Sequence, residues 1–249
     1  ERFADTLRDM DFFPSKGDPD VWMRLSKESD VYEYIAVYVD DLCIALRDPE
    51  GLCKILKEKY KYKLKGTGPI EYHLGMDFQR DSEGKMTCSA HKYIEKSMTS
   101  FQCIFGELPR EYSSPLEKGD HPEVDDSPEL GDDNRKIYQS LIGTLQWMVS
   151  IGRFDIATSV MTMGKFRAAP RQGHLERLKR IFGYVKKYAS AKITIRTEEP
   201  DFSKLPNQEF DWMYSVYGNV KELVPVDMPE PKGKRVIISE YVDALFGHW

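Results

Sequence analysis

Two adjacent carboxylates, Asp40 and Asp41, are the residues of this sequence whose types and spacing best suit chemistry. They close the segment Tyr38-Val39-Asp40-Asp41, which lies between two apolar runs. Divalent cations prefer clustered oxygen ligands, and a turn carried by two strands can hold such ligands rigidly. Phosphoryl transfer with two metal ions needs such carboxylates, because they help to neutralise the attacking and leaving oxygens together. The competing interpretation is a plain β-turn, since Asp is common in turns.

The elements that would position this turn follow from the spacing of apolar residues. Residues 32–39 and 42–46 are rich in β-branched, aromatic and aliphatic side chains on either side of the two acids, which predicts a hairpin. Asp48-Pro49-Glu50 is typical of a helix start and predicts a helix to about residue 60. The other elements predicted here are a short helix over 1–12, a strand over 21–25, a hairpin of 71–78 with 85–88, and a helix over 91–101.

Residues 107–133 differ in composition from the rest of the chain. They hold ten acidic residues against Arg110 and Lys118, together with four prolines, which predicts a loop or linker. The acidic charge also suggests a second hypothesis, in which this segment orders against a basic helix and masks it from nucleic acid. A solvated acidic loop is the favoured interpretation of the two.

The helical pattern returns after this segment. Apolar residues at spacings of three and four predict helices over 137–149, 155–166 and 172–188. On the last of these, Arg177, Arg180 and Lys187 lie opposite the apolar face and could neutralise phosphates, with His174 nearby as a neutral donor. A strand over 192–196, an irregular stretch over 198–234 and a strand over 235–244 are predicted to follow.

The overall composition excludes several classes of protein. With 41% hydrophobic and 31% charged residues, the 249-residue chain is predicted to fold, and its net charge of -5 is not typical of a general nucleic-acid binder. The four cysteines lack a zinc-site spacing and are expected to be reduced thiols. There is no apolar run of about 18 residues and no signal-peptide pattern, so we expect a soluble, intracellular protein without a membrane partner.

Several motifs resemble the reverse transcriptases of copia-type retrotransposons, whose catalytic motif reads YVDD in a hairpin of the palm domain. The order of the motifs agrees as well as their letters. YHLGMDF at 72–78 resembles the family's FLGMEI strand, HKYIEKSM at 91–98 its QKKYIEKxL helix, SPL at 114–116 its TPL, YQSLIGTLQW at 138–147 its YRSLIGSLLY, RFDI at 153–156 its RPDI, and YVDA at 241–244 the start of its RNase H domain. Phe154 departs from the family's proline.

The resemblance implies an α+β fold with a partial right-hand polymerase palm, an antiparallel sheet with helices, followed by a helical thumb or connection. The boundaries it suggests are a partial palm over 1–105, an acidic linker over 106–134, the helical thumb or connection over 135–196, an irregular linker over 197–234 and the start of an RNase H-like domain over 235–249. Because the chain opens at Glu1 rather than Met, we expect it to be part of a longer polyprotein.

The implied activity is that of an RNA-directed DNA polymerase. It would use two magnesium ions, with manganese as an alternative, an RNA template, a DNA primer and deoxynucleoside triphosphates, alongside the remainder of the polyprotein, in a cytoplasmic virus-like particle or the nucleus. The roles implied by the matching motifs are catalysis and metal binding for Asp40 and Asp41, primer binding for Leu74, Gly75 and Met76, nucleic-acid binding for His174, Arg177, Arg180 and Lys187, and a first RNase H carboxylate for Asp243.

Two further observations keep other functions open. The family's third catalytic carboxylate belongs to a motif that is not found before Tyr38, so the chain is expected to be inactive in isolation. A non-catalytic remnant that only binds nucleic acid is therefore the main alternative, and a palm-like nucleotidyl cyclase, which also uses paired acids on a hairpin, is a weaker one. The six lysines between residues 54 and 65 are interpreted as a solvated basic face, although Lys65 falls near a lysine of the family.

Overall fold

The computed structural model describes residues 2–196, 198, 212–214, 216, 218, 223 and 225–233. The chain divides into two units, one formed by Glu1–Thr67 with Thr197–Trp249 and the other by Gly68–Arg196. Among the described residues the structure is mixed α and β with two antiparallel four-stranded sheets, in agreement with the predicted α+β class. The assignment of a polymerase palm stays a prediction, as do the domain boundaries.

The first unit is a sheet covered by two short helices. The helices are α1 (Arg2–Asp9) and α2 (Pro49–Glu58), and the strands, in sheet order, are β1 (Phe13–Pro14), β2 (Val21–Leu25), β3 (Tyr32–Tyr38) and β4 (Asp41–Ala45). Helix α2 starts where predicted, because the Oδ1 atom of Asp48 accepts a hydrogen bond from the Gly51 amide at 2.8 Å. The fully buried side chains of Leu7, Ile35 and Leu56 belong to its core.

The second unit packs helices around a larger core. Its strands, in sheet order, are β5 (Tyr72–His73), β6 (Met76–Arg80), β7 (Met86–Ser89) and β8 (Lys192–Thr194), and its helices are α3 (His91–Phe105), α4 (Asp132–Ser150), α5 (Ala157–Gly164) and α6 (Gln172–Lys187). Short 3-10 turns occur at Pro122–Val124 and Phe154–Ile156 in this unit and at Trp212–Tyr214 in the first. Tyr138 of α4 is fully buried and donates its hydroxyl hydrogen to the Met163 carbonyl at 2.7 Å, which links α4 to α5.

Two predicted elements differ from the structure. The strand predicted over 71–78 is broken at Leu74 and Gly75, because both residues have positive φ, 50° and 88°, and the chain reverses there. Helix α4 begins at Asp132, inside the segment predicted to be a linker, and its first-turn acids Asp132 and Asp133 suit the positive end of the helix dipole. The strand predicted over 235–244 lies outside the described residues.

No helix among the residues that the structure describes is long and apolar enough to cross a lipid bilayer.

Candidate active site

The two candidate catalytic carboxylates occupy the tip of the β3–β4 hairpin. Tyr38 pairs with Asp41 across the strands, which leaves Val39 and Asp40 as a two-residue loop. Asp40 and Asp41 are both exposed, and they follow a strand whose Ile35 is fully buried in the core. The structure therefore confirms the predicted hairpin and the position of both carboxylates at its turn.

Val39 gives this turn an unusual backbone. Its φ is 53°, and its side chain is 83% exposed. A two-residue hairpin loop favours positive φ, but a β-branched residue in that region is a steric outlier, and glycine or asparagine would adopt it at lower cost. Backbone strain of this kind concentrates at functional sites. The turn thus keeps a residue that is unfavourable for the turn itself, which supports a role for this segment beyond reversing the chain.

The donor set at the turn suits part of a magnesium site. Magnesium is usually bound by one or two protein carboxylates together with water and substrate phosphates. Asp40 and Asp41 supply two such carboxylates on neighbouring residues. Within the described part of the chain, no group of three or more His, Cys, Asp or Glu side chains could hold a metal ion. A site with two metal ions would therefore require at least one further carboxylate in addition to these two.

The three residues predicted to bind a primer lie on a second tight turn, between β5 and β6. His73 pairs with Met76, so Leu74 and Gly75 form another two-residue loop, and their positive φ values are those that such a loop favours. A Cβ atom on Gly75 would lie 3.3 Å from the Trp147 indole nitrogen. Glycine is therefore favoured by the positive φ, and a larger residue would also need the indole to shift slightly.

The side chains of α6 that were predicted to bind nucleic acid all contact one segment of the same unit. This segment, residues 109–129, is called the acidic strap below. His174 is 3% exposed; its Nδ1 atom accepts a hydrogen bond from the Arg171 amide at 3.0 Å, and its Nε2–H donates to the Pro122 carbonyl at 2.9 Å. Its ring also stacks on Phe166. Both ring nitrogens are engaged within the protein, and the predicted role of His174 toward phosphates stays a prediction.

Arg177 is the centre of the contact between α6 and the acidic strap. Its guanidinium donates to both carboxylate oxygens of Asp120, at 2.7 to 3.1 Å, and to Asp125. The hydrogen bond from Arg177 is the main reason that the pKa of Asp120 is lowered. Burial alone would raise the pKa of Asp125, but hydrogen bonds from Ser127 and Arg177 outweigh it and lower the pKa of that carboxyl. The same two carboxylates raise the pKa of Arg177.

The remaining predicted cations also contact the acidic strap, Arg180 through an ion pair and the exposed Lys187 through a hydroxyl group. The guanidinium of Arg180 donates to Glu117 at 2.8 Å and lies 4.4 Å from the centre of the Tyr112 ring. Lys187 donates to the Ser113 hydroxyl at 2.8 Å. A Cβ atom on Gly183 would lie only 1.8 Å from the Arg110 carbonyl oxygen, so the strap backbone is in direct contact with α6 at this glycine.

Residues 107–131 are largely irregular, as the loop prediction required, and most of their acidic side chains are exposed. The loop is nevertheless ordered against α6 through Glu117, Asp120 and Asp125, as the second hypothesis proposed, whereas its masking of α6 from nucleic acid stays a prediction. The segment is anchored by partly buried ion pairs and by close backbone approach, which a count of charges does not reveal. Gly173 and Gly183 on α6 were the missed signal, because two glycines in a helix weaken it unless something packs against them.

Acid is expected to weaken the attachment of the strap. Because the folded-state pKa values of Asp120 and Asp125 are lowered, these carboxylates contribute stability that is present above about pH 4 and is lost as the pH falls through their folded values. Urea unfolding at about pH 6 and about pH 3 measures this loss. The variant carrying Asp120→Asn and Asp125→Asn should show a smaller pH dependence; a profile identical to wild type would contradict the assignment.

Comparison with curated proteins places this chain among relatives that are transposon proteins. It is 30% identical over 189 residues to the putative transposon Ty5-1 protein of Saccharomyces cerevisiae, which covers 74% of this chain and 58% of that protein. It is 25% identical over 193 residues to the retrovirus-related Pol polyprotein from transposon TNT 1-94 of Nicotiana tabacum, covering 74% of this chain and 14% of the polyprotein. It is 27% identical over 153 residues to the retrovirus-related Pol polyprotein from transposon RE1 of Arabidopsis thaliana, which covers 61% of this chain and 10% of that polyprotein.

The chain thus spans less than two thirds of each of these relatives, and only a small part of the two Pol polyproteins. No protein-family model matches it. No solved structure matches it either. The homology supports the interpretation that this chain is part of a retrotransposon polyprotein, in agreement with the resemblance found in the motifs.

Proposed function

We propose that this chain is part of the reverse transcriptase of a copia-type retrotransposon, an RNA-directed DNA polymerase, and that Asp40 and Asp41 are its metal-binding catalytic pair. The observation that carries this proposal is the two-residue turn of the β3–β4 hairpin, which presents both carboxylates to solvent beside the strained Val39. The similarity to two retrovirus-related Pol polyproteins from transposons supports it independently.

In this proposal the protein contributes rigidity and charge. The pairing of Asp41 with Tyr38 fixes the backbone of one carboxylate in the sheet, and the two-residue loop fixes its neighbour. Both side chains would provide oxygen ligands, and magnesium bound to them would neutralise charge on the phosphates of the incoming nucleotide. We propose that the remaining carboxylate comes from another segment of the polyprotein, since these two alone do not complete a site for two ions.

A non-catalytic, nucleic-acid-binding remnant is the second candidate. The observation that favours it is the donor set, because no group of three or more potential metal ligands occurs in the residues that the structure describes. Such a remnant would keep its affinity for nucleic acid and show no synthesis, so the two candidates differ in a measurable activity.

Primer extension on an RNA template tests the proposal. The protein used is a longer stretch of the polyprotein that contains this chain and the segment upstream of it. We expect extension that requires magnesium, is lost on chelation with EDTA and returns when magnesium is restored, because the carboxylates act through the bound ion. Salt-sensitive binding of the primer–template without extension would contradict the polymerase and favour the remnant.

A further inference from the structure

We infer that Lys61, Lys63 and Lys65, called the lysine row below, form a contact surface for the phosphate backbone of nucleic acid. The three ammonium groups are exposed, and none has an ion pair or hydrogen bond among the described residues. They extend a stretch, residues 54–65, that holds six lysines and one acid, Glu58, in a chain with a net charge of -5. This stretch is therefore strongly positive, although the chain as a whole carries a net negative charge.

Alternation along the segment directs the lysines outward. Tyr60, Tyr62 and Leu64 are partly buried and pack against the core of the first unit, whereas the lysines between and after them are exposed. The segment is not a β-strand, and Lys61 has a positive φ of 61°, so the outward placement of the lysines follows from the packing of Tyr60, Tyr62 and Leu64 rather than from strand geometry. The row is therefore a consequence of how this segment is seated on the core.

The segment is held in place by several contacts. The Tyr62 amide donates to the Leu56 carbonyl at 2.9 Å, its hydroxyl forms a 3.0 Å hydrogen bond with Thr6, and its ring meets Phe3 edge-on with centres 5.4 Å apart. Lys59, just before the row, is paired with Asp9 at 3.1 Å. Because Tyr62 fixes the chain between Lys61 and Lys63, these two lysines lose mainly side-chain freedom on binding, which favours association.

The spacing of the row suits a polyanion with regularly placed charges. Lys61 and Lys65 are four residues apart, so their Cα atoms are at most about 14 Å apart. Each strand of a double helix carries one phosphate per about 3.4 Å of helix axis, so the row is long enough to meet more than one phosphate. Lysine binds phosphate as a point charge on a flexible stem, so a small mismatch in spacing is tolerated.

The choice of nucleic acid rather than another polyanion rests on the proposed function. It is supported by the contrast with α6, whose Arg177 and Arg180 are already paired with carboxylates of the acidic strap. The lysine row offers cations without that competition. It also belongs to the same unit as Asp40 and Asp41.

The test is the salt dependence of binding to a fluorescent RNA–DNA hybrid, measured by anisotropy. The variant carries Lys61→Gln, Lys63→Gln and Lys65→Gln. Its matched control carries Lys96→Gln, Lys118→Gln and Lys165→Gln, which makes the same change in net charge at exposed lysines of the second unit that have no ion pair among the described residues. All six positions are surface sites, so both variants should keep the urea midpoint of wild type.

Three phosphate contacts correspond to a slope of about 2.7 in the logarithmic plot of affinity against salt. Between about 50 and about 200 mM salt, the wild type should therefore lose about 40-fold more affinity than the row variant, while the control variant should follow the wild type. Equal effects of the two variants would overturn the inference, as would a row variant that binds the hybrid normally but loses binding to phosphatidylserine vesicles.

The outcome can be separated from that of the proposed function. If the longer polyprotein fails to extend primers while the row variant still loses salt-dependent binding, the lysine row stands and the polymerase proposal fails. If extension occurs but the row variant binds as the control does, the polymerase stands and the row fails.

Discussion

Asp40→Asn is expected to reduce RNA-templated primer extension by the longer polyprotein at least about 10³-fold, or about 4 kcal/mol of transition-state stabilisation. Asparagine has nearly the size and shape of aspartate, so the hairpin and its exposed tip should keep their geometry. It has no negative charge, and a neutral amide is a poor ligand for a hard cation that must neutralise phosphates. Single-turnover extension with saturating nucleotide isolates the chemical step from binding.

The matched control for this substitution is Asp48→Asn. Asp48 is an exposed carboxylate of the same unit, and it caps α2, a role that asparagine fills as well as aspartate. The control should retain wild-type extension. If Asp40→Asn also retained it, or if both substitutions reduced it equally, the turn would be an ordinary β-turn and not the metal-binding pair.

The hairpin at Asp40 and Asp41 could be predicted from the sequence because its determinants are local. Alternating apolar residues define the strands, and two consecutive acids between them leave few places for the chain to reverse. Helices α2 and α6 were predicted for the same reason, since a proline-containing cap and a repeated apolar spacing act within one or two turns. The apolar pattern did not indicate the positive φ of Val39, because this φ results from the pairing of the two strands and not from the conformational preference of valine.

The charges of the acidic segment suggested that it could order against the basic helix, but its individual contacts could not be predicted, because they join residues distant in the sequence. Arg177 and Asp120 are separated by 57 positions, and nothing in the local pattern of either one indicates the other. The helical wheel of α6 separated the apolar face from the charged face correctly, but it did not show that the charged face is also covered. The turn that breaks the strand at Leu74 and Gly75 also lies against a residue distant in the sequence, Trp147, which the local pattern does not indicate.

Because the acidic strap pairs with the arginines of α6, cations that are free to bind phosphate must be sought elsewhere in the chain. On sequence alone, the α6 arginines were preferred for phosphate binding, and the lysines between residues 54 and 65 were taken as a solvated face. In the structure the arginines are paired within their own unit, whereas Lys61, Lys63 and Lys65 have no partner among the described residues. Charge at a position is therefore a weaker guide to ligand binding than charge that is left unpaired after folding.

Arg177→Met is expected to lower the opening free energy of α6 by about 3 kcal/mol, the lower end of the cost of breaking a buried ion pair from one side. Methionine replaces the apolar stem but leaves Asp120 and Asp125 without their main cation, although their side chains are only 14% and 8% exposed. Hydrogen exchange of the α6 amides measures this opening directly. The control is Arg167→Met, because Arg167 is exposed and its guanidinium hydrogen bond is to the Gly164 carbonyl, at 3.2 Å.

Adding Asp120→Asn and Asp125→Asn to Arg177→Met should recover part of the loss. Neutral amides can remain buried at lower cost than unpaired carboxylates, and the amide oxygen introduced by Asp125→Asn can still accept the hydrogen bond that Asp125 receives from the Ser127 amide at 3.0 Å. Recovery would show that the cost of Arg177→Met comes from carboxylates left without a cation rather than from lost packing. A loss no larger than that of Arg167→Met would mean that the strap contributes little to α6, and the arginine face would again be available to phosphates.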